Sequence, residues 1–263
     1  PEHIKSCELN LWKNIRESCI SGRRTGLGIT ALGDAMAALG VRYGQDSLSH
    51  TNNIYKELCV ASYYSSCLMA EELGAFPLWS FNKECDNPFL LRIKSVSPDL
   101  YSTIEKFGRR NIANLTTAPT GSISMLAGFV VNGKEYYGTT SGIEPMYSWG
   151  YTRRKKGNPG DKNFRTDYVD ESGDHWTHFN VYHTGLQAYI DLTGKTYEES
   201  PYYQSQASDI DWVTRVKIQA TAQQWVDHSI SSTVNLPNDV TEEEVGKIYL
   251  AAWKSGCKGL TVY

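Results

Sequence analysis

The sequence predicts an α/β protein built on a parallel sheet, and three stretches carry that prediction. Ile112, Ala113 and Leu115, then Pro119 to Gly121, then Ser122 to Gly128 read as a buried strand, a tight loop and the first turn of a helix. Asp209 to His228 reads as a helix and Ser231 to Leu236 as the strand after it. A helix headed by the capping box Thr241/Glu244 then leads into a last strand, Leu260 to Tyr263. Helix, strand, loop and helix in that order are the grammar of a parallel α/β sheet. Ligands of such sheets sit beyond the carboxyl ends of the strands, where the loop after Thr117 falls.

The remaining elements follow from periodicity and punctuation. Leu11, Trp12, Ile15 and Cys19 suit a short helix over Leu9 to Cys19, and Gly22 to Gly28 is a glycine-punctuated turn. Arg23 and Arg24 are candidates for structural ion pairs. Ile29, Leu32, Met36 and Leu39 recur at helical spacing, with Gly40 where a C-cap belongs. Ser49 to Leu73 is a longer helix whose stripe Ile54, Leu58, Ala61, Ser65, Leu68 and Glu72 is expected to face the core. Ser97-Pro98-Asp99 starts a helix that turns Leu100, Ile104 and Phe107 inward and stops at Gly108. A loop runs to Thr140, followed by Ser141 to Pro145 and an aromatic run through Tyr151. Lys155 to Arg165 is an exposed loop, and Asp167 to Tyr203 an irregular excursion with a short helix near Tyr182 to Leu192. In the helix after Asp209, Val213, Val216, Ala220 and Gln223/Gln224 share one side. In the last helix Val245, Ile248, Tyr249 and Ala252 face the core, and Gly256 closes it. One domain, 1–263, is expected, with no internal repeat.

Composition narrows the function classes. A chain of 263 residues with 40% hydrophobic and 21% charged side chains is long enough to bury a core. A formal charge of −3 supplies no field for nucleic acid, and the basic cluster Arg153-Arg154-Lys155-Lys156 reads as a solvated loop. No run of about 18 apolar residues is present, so no membrane span is expected, and Pro1 to Lys5 does not resemble a signal peptide. The expected location is the cytoplasm. Six cysteines without a C-x-x-C pair read as free thiols in a reducing compartment, with Cys59 and Cys67 in the core. His175, His178 and His183 with Asp174 form the one histidine-rich patch; no metal site is assigned to it. Asp174/His175 and Asp227/His228 are the adjacent acid/base candidates, each also readable as surface or helix-end groups.

The central loop carries the chemistry. A loop entering a helix presents backbone N–H groups without intrahelical acceptors at the positive end of the dipole, which suits an anion. Gly121 leaves room for close backbone approach. The alternative is an ordinary strand-to-helix turn with a hydroxyl cap. No Lys follows Gly121, so this is not the nucleotide-hydrolysing P-loop.

Ala118-Pro119-Thr120-Gly121-Ser122-Ile123-Ser124, followed by Ser141-Gly142-Ile143-Glu144-Pro145, resembles the large-subunit core of ribonucleotide reductases, most of all the adenosylcobalamin-dependent class. Gly22 to Gly28 with Leu32-Gly33-Asp34-Ala35 is similar to the segment after that family's active-site cysteine strand. Ser231 to Pro237 with Gly256 to Tyr263 is similar to the end of its barrel. The resemblance implies a partial reductase-type α/β barrel, a half-barrel of strands with surrounding helices. It also implies that Ala118, Pro119, Thr120, Gly121, Ser122, Ile123 and Ser124 hold the substrate's phosphates. The family's catalytic strand carries Asn-x-Cys-x-Glu, and none of the six cysteines has that setting; Cys7 is flanked by Lys5 and Leu9. The chain is therefore expected to correspond to the C-terminal part of the barrel, with no catalytic residue of its own and no activity alone. The implied associates are a ribonucleotide, adenosylcobalamin, the remainder of the subunit with the catalytic cysteine, and a thioredoxin-type reductant. A non-catalytic piece of a split reductase and an unrelated phosphate–sugar enzyme are the alternatives.

Overall fold

The computed structural model describes residues 2–157 and 163–263. In chain order the helices are α1 (Glu2–Gly22), α2 (Leu32–Ala38), α3 (Leu48–Leu73), α4 (Phe81–Glu84), α5 (Pro88–Val96), α6 (Pro98–Phe107), α7 (Gly121–Leu126), α8 (Thr184–Thr193), α9 (Trp212–Gln223) and α10 (Glu242–Lys254). The strands are β1 (Gly128–Val131), β2 (Lys134–Tyr137), β3 (Gly150–Lys156), β4 (Tyr168–Val169), β5 (His175–Tyr182), β6 (Thr233–Val234) and β7 (Thr261–Val262). The chain folds as two units. One comprises residues 1–29, 44–119 and 211–263; the other comprises 30–43 and 120–210.

The first unit holds the parallel strands. Leu27 bridges Leu115, Thr117 bridges Ile230, and β6 pairs with β7, all in parallel. Four chain segments thus lie side by side, and the α/β class predicted from the sequence holds; the described residues form no closed barrel. Gly28 shows how closely these segments approach: a Cβ there would press into the Thr116 carbonyl oxygen. Asp227 fastens the central segment from its far side, accepting the N–H groups of Asn114 and Leu115 at 2.7 and 2.8 Å and the Tyr63 hydroxyl at 2.7 Å. Arg109 anchors its start. This buried guanidinium donates to the carbonyls of Asn111 and Ile112, pairs with Glu84, and lies 5.3–5.6 Å from the rings of Tyr63, Phe76 and Trp79. A cation in such an aromatic cage keeps its charge with little exposed surface.

The helices of this unit show where local pattern suffices. α6 runs as expected, with Leu100 and Ile104 buried, and α10 has its reciprocal Thr241/Glu244 cap with Ile248 and Ala252 inside. Elsewhere packing overrides pattern. α3 buries Thr51, Tyr55, Cys59, Tyr63, Ser66, Cys67 and Ala70, not the expected stripe; Leu68 is 46% exposed. The buried face carries polar atoms because they have partners, such as Tyr55 to Thr117 and Ser66 to Asn111. Tyr249, Val213 and Leu39 are exposed rather than inward. α1 is longer than the expected helix and exposed along nearly all of it.

The second unit corrects two loops. The expected loop to Thr140 contains the hairpin β1–β2, turned at Asn132-Gly133, both with positive φ. Arg153 to Lys156 belongs to a strand, not a loop: β3 pairs antiparallel with β5 along its whole length, and β4 flanks β5. Its charges give no alternating signal, and the strand is held by cross-strand partners such as Arg154 with His178 and, 4.9 Å away, the Trp176 ring. The expected loop Lys155 to Arg165 in part lies outside the described residues. α8 takes the place expected for the short helix.

Replacing Gly28 by Ala puts a Cβ against a backbone carbonyl that has no other place in the ladder. The Gly28→Ala chain is expected to lose about 1–3 kcal/mol of stability, as overpacked cores do. Urea unfolding followed by circular dichroism measures this; an unchanged midpoint would show that the two segments can separate freely.

Candidate functional site

The boundary between the two units falls inside the central loop, between Pro119 and Thr120. On the first side Thr117 is buried and hydrogen-bonded to Tyr55, while Ala118 and Pro119 are exposed. Ala118 borders a cleft of about 460 Å³ with Thr116, Thr117, Ser231, Gly259 and Thr261.

On the second side Thr120 adopts a left-handed backbone, φ 54° and ψ 26°, as N-cap of α7. A non-glycine residue there costs energy and persists only when its surroundings hold it. They do. The Thr120 hydroxyl receives the Gly142 amide at 2.8 Å and bonds the Thr30 hydroxyl at 2.9 Å. With its oxygen so engaged, Thr120 caps no amide of its own helix. Ser124 N–H returns to the Thr120 carbonyl at 2.7 Å. The amides of Gly121, Ser122 and Ile123 have no acceptor among the described residues, and all three residues are exposed. A Cβ on Gly121 would meet nothing within 4 Å. Ser124 is buried; its hydroxyl donates to Gly121 O and bonds Ser141 Oγ at 3.1 Å, while Thr139 N–H bonds its carbonyl.

Behind this loop lies a cluster that sequence reasoning did not assemble. Asp34, in the first turn of α2, accepts His183 Nε2 at 2.6 Å and the Tyr202 hydroxyl at 2.7 Å on Oδ1. Its Oδ2 accepts the Thr140 amide at 2.7 Å, and its own N–H donates to Thr140 Oγ1 at 3.2 Å. Burial works against the charge, yet His183, the Thr140 amide and the Tyr202 hydroxyl together hold the carboxyl below its ordinary range. Burial and the adjacent carboxylate push the Tyr202 phenol up, so it remains a donor. Beside the cluster a mainly apolar cavity of about 920 Å³ opens between α2, β1 and α8, lined by Asp34, Ala35, Phe129, Ala188 and Tyr202 among others.

The other candidates resolve into structure. His183 turns to Asp34, away from the predicted histidine patch; His175 bonds Thr166, and His178 stacks on Tyr168. Asp174 pairs with Lys156, and Asp227 is committed to Asn114, Leu115 and Tyr63. Neither acid/base candidate is poised for chemistry. Arg24 lies 3.4 Å from His228 Nδ1, and neither Arg23 nor Arg24 forms an ion pair among the described residues. All six cysteines are free. Burial raises the thiols of Cys59 and Cys67 to about 12 and about 11, which keeps them protonated, while Cys7 and Cys19 are exposed on α1. No helix is long and apolar enough to cross a membrane among the described residues.

Parallel strand segments flanked by helices define the chain as an α/β protein, with a central loop whose amides at residues 121–123 have no acceptor among the described residues. Residues 5–263 match the family described as ribonucleotide reductase, barrel domain, and the chain belongs to that family. It is 30% identical over 261 residues to the vitamin B12-dependent ribonucleoside-diphosphate reductase of Mycobacterium tuberculosis, an alignment covering 94% of this chain and 32% of that protein. The protein of the same description from Thermoplasma acidophilum is 27% identical over 92% of this chain and 28% of its own length. The ribonucleoside-diphosphate reductase subunit alpha of Treponema pallidum is 24% identical over 90% of this chain and 24% of its own length. The chain thus spans about a quarter to a third of the length of these relatives. Family membership overturns the reading as an unrelated phosphate–sugar enzyme.

The Asp34 cluster sets a pH dependence. A carboxyl held below its unfolded value contributes stability that is present above pH about 4 and lost as pH falls through the folded value. At pH 7 Asp34→Asn should therefore cost about 1–3 kcal/mol, because an amide cannot accept from all three donors. The gap to the parent should narrow at pH 3. Urea denaturation at both pH values measures it; an equal gap at the two would rule out the charge as the source.

Proposed function

We propose that this chain supplies the substrate-phosphate loop of a ribonucleoside di- or triphosphate reductase. In the complete enzyme the ribonucleotide is reduced to its 2′-deoxy form by radical chemistry. The observation that carries the reading is the set of three adjacent, exposed amides at Gly121, Ser122 and Ile123 without acceptors among the described residues. Phosphate oxygens are the complement of such donors at a helix start. Ala118 and Pro119 lead the chain into the loop, the Ser122 hydroxyl is a further donor, and Thr120 and Ser124 fasten the loop to residues 139–142. Holding the phosphates fixes the ribose against a thiyl radical supplied by the Asn-x-Cys-x-Glu strand of another segment. Proximity of that kind is worth a large part of a rate enhancement.

The relatives' names support adenosylcobalamin as the radical source of the complete enzyme, where it would supply homolysis of a carbon–cobalt bond. Among the described residues no three His, Cys, Asp or Glu side chains converge to hold a metal, and this reading assigns the cofactor to no residue here. A thioredoxin-type reductant, the rest of the subunit and a cytoplasmic location belong to the same reading. The chain alone, lacking the cysteine strand, binds without turning over.

Titration of the 263-residue chain with a nucleoside diphosphate tests the loop. Ser122→Ala and Gly121→Val should each weaken binding roughly tenfold, about 1.4 kcal/mol. Since the protein leaves space at Gly121, loss there reports ligand approach rather than a clash. Equal affinity in parent and both variants would remove the loop from the site.

A second reading, compatible with the first, is that the chain assembles with the polypeptide bearing the cysteine strand. What favours it is the exposed segment 24–28, where the amides of Gly26 and Gly28 have no acceptor among the described residues. An open strand edge is a template for another strand. Mixing the two polypeptides should yield a faster-eluting complex on a sizing column; separate elution at micromolar concentration would defeat this reading.

A further inference from the structure

A series of hydrogen bonds links the loop to Asp34. Thr30 Oγ1 donates to the Thr140 carbonyl at 3.1 Å, so its bond with Thr120 is donated by Thr120. The Ala31 amide adds a second bond to the same carbonyl at 2.9 Å. The Thr140 N–H, on the other side of the same Cα, donates to Asp34 Oδ2, and the ionised carboxylate, which can only accept, fixes residue 140 there. His183 and Tyr202 close the other oxygen. Thr120, Thr30, Thr140 and the half-buried Asp34 carboxylate are thereby joined. The far end of the series is the residue whose left-handed backbone sets the direction of the Gly121, Ser122 and Ile123 amides.

We propose that Asp34 is a positioning residue for substrate phosphate: through Thr140 and Thr30 it holds Thr120 in its left-handed conformation and so keeps the three loop amides aimed at the anion. This rests on the phosphate-loop reading above. Asp34 touches no substrate. Its carboxylate accepts from three donors at once, whereas the nitrogen of an amide of the same shape cannot accept, so at least one of these bonds is lost or has to reverse.

Two measurements on the full chain separate this role from simple support of the fold. The first is amide hydrogen exchange at Ser124, whose N–H bonds the Thr120 carbonyl at 2.7 Å and touches neither Thr30 nor Asp34. The second is affinity for inorganic pyrophosphate. Asp34→Asn and Thr30→Val should each speed Ser124 exchange at least tenfold and weaken pyrophosphate binding by a similar factor, whereas Thr30→Ser, which keeps the hydroxyl, should restore both. Thr30→Val preserves volume and stands as the test if Asp34→Asn does not fold. Unchanged exchange, or variants that bind pyrophosphate as tightly as a parent that binds it, would overturn the positioning role and leave the phosphate loop intact. A parent chain that ignores pyrophosphate would overturn the loop reading and this one together.

Discussion

A helix cannot satisfy its own first-turn amides, and this chain leaves three of them facing outward. The usual remedy is a Ser, Thr or Asp side chain folded back over the helix start. Thr120 occupies that position, but its hydroxyl is spent on Thr30 and Gly142. Among the described residues the loop's donors therefore have no acceptor, while its backbone is held in a costly conformation. That combination, a left-handed backbone together with amides that have no acceptor among the described residues, is what supports the proposed phosphate loop.

Each unit has a half-buried carboxylate that gathers donors from distant segments. Asp227 collects two backbone amides and a tyrosine hydroxyl, and so fixes the segment that enters the loop. Asp34 collects a histidine, a tyrosine and a backbone amide, and so fixes the segment that supports the loop on its other side. In each case an acceptor-only group converts flexible connections into defined ones, because leaving its donors unpaired in a low-dielectric interior would cost more than ordering them. Arg109 does the same for the start of the strand with the opposite sign, donating to two carbonyls from within an aromatic cage.

The legible parts of the fold were those in which residues close in sequence determine the outcome. Ser97-Pro98-Asp99 and Thr241/Glu244 specify helix starts through interactions spanning three or four residues, and α6 and α10 begin there. Asn132-Gly133 was equally local: a dipeptide suited to positive φ at both positions, it marked the β1–β2 hairpin and could have been read. The buried face of α3 was not readable from hydrophobicity, since Tyr55, Tyr63 and Ser66 go inside only because Thr117, Asp227 and Asn111 await them. β3 is likewise a strand because β5 lies beside it.

The sequence by itself determined the family, the α/β class and the position of the central loop, because ordered short motifs and turn residues express themselves over a few positions. Only the tertiary structure decided what holds that loop. Asp34 meets Thr140, His183 and Tyr202 across separations of 106, 149 and 168 residues. A carboxylate's role is set by which donors surround it, and such partners are brought together by folding, not by spacing along the chain.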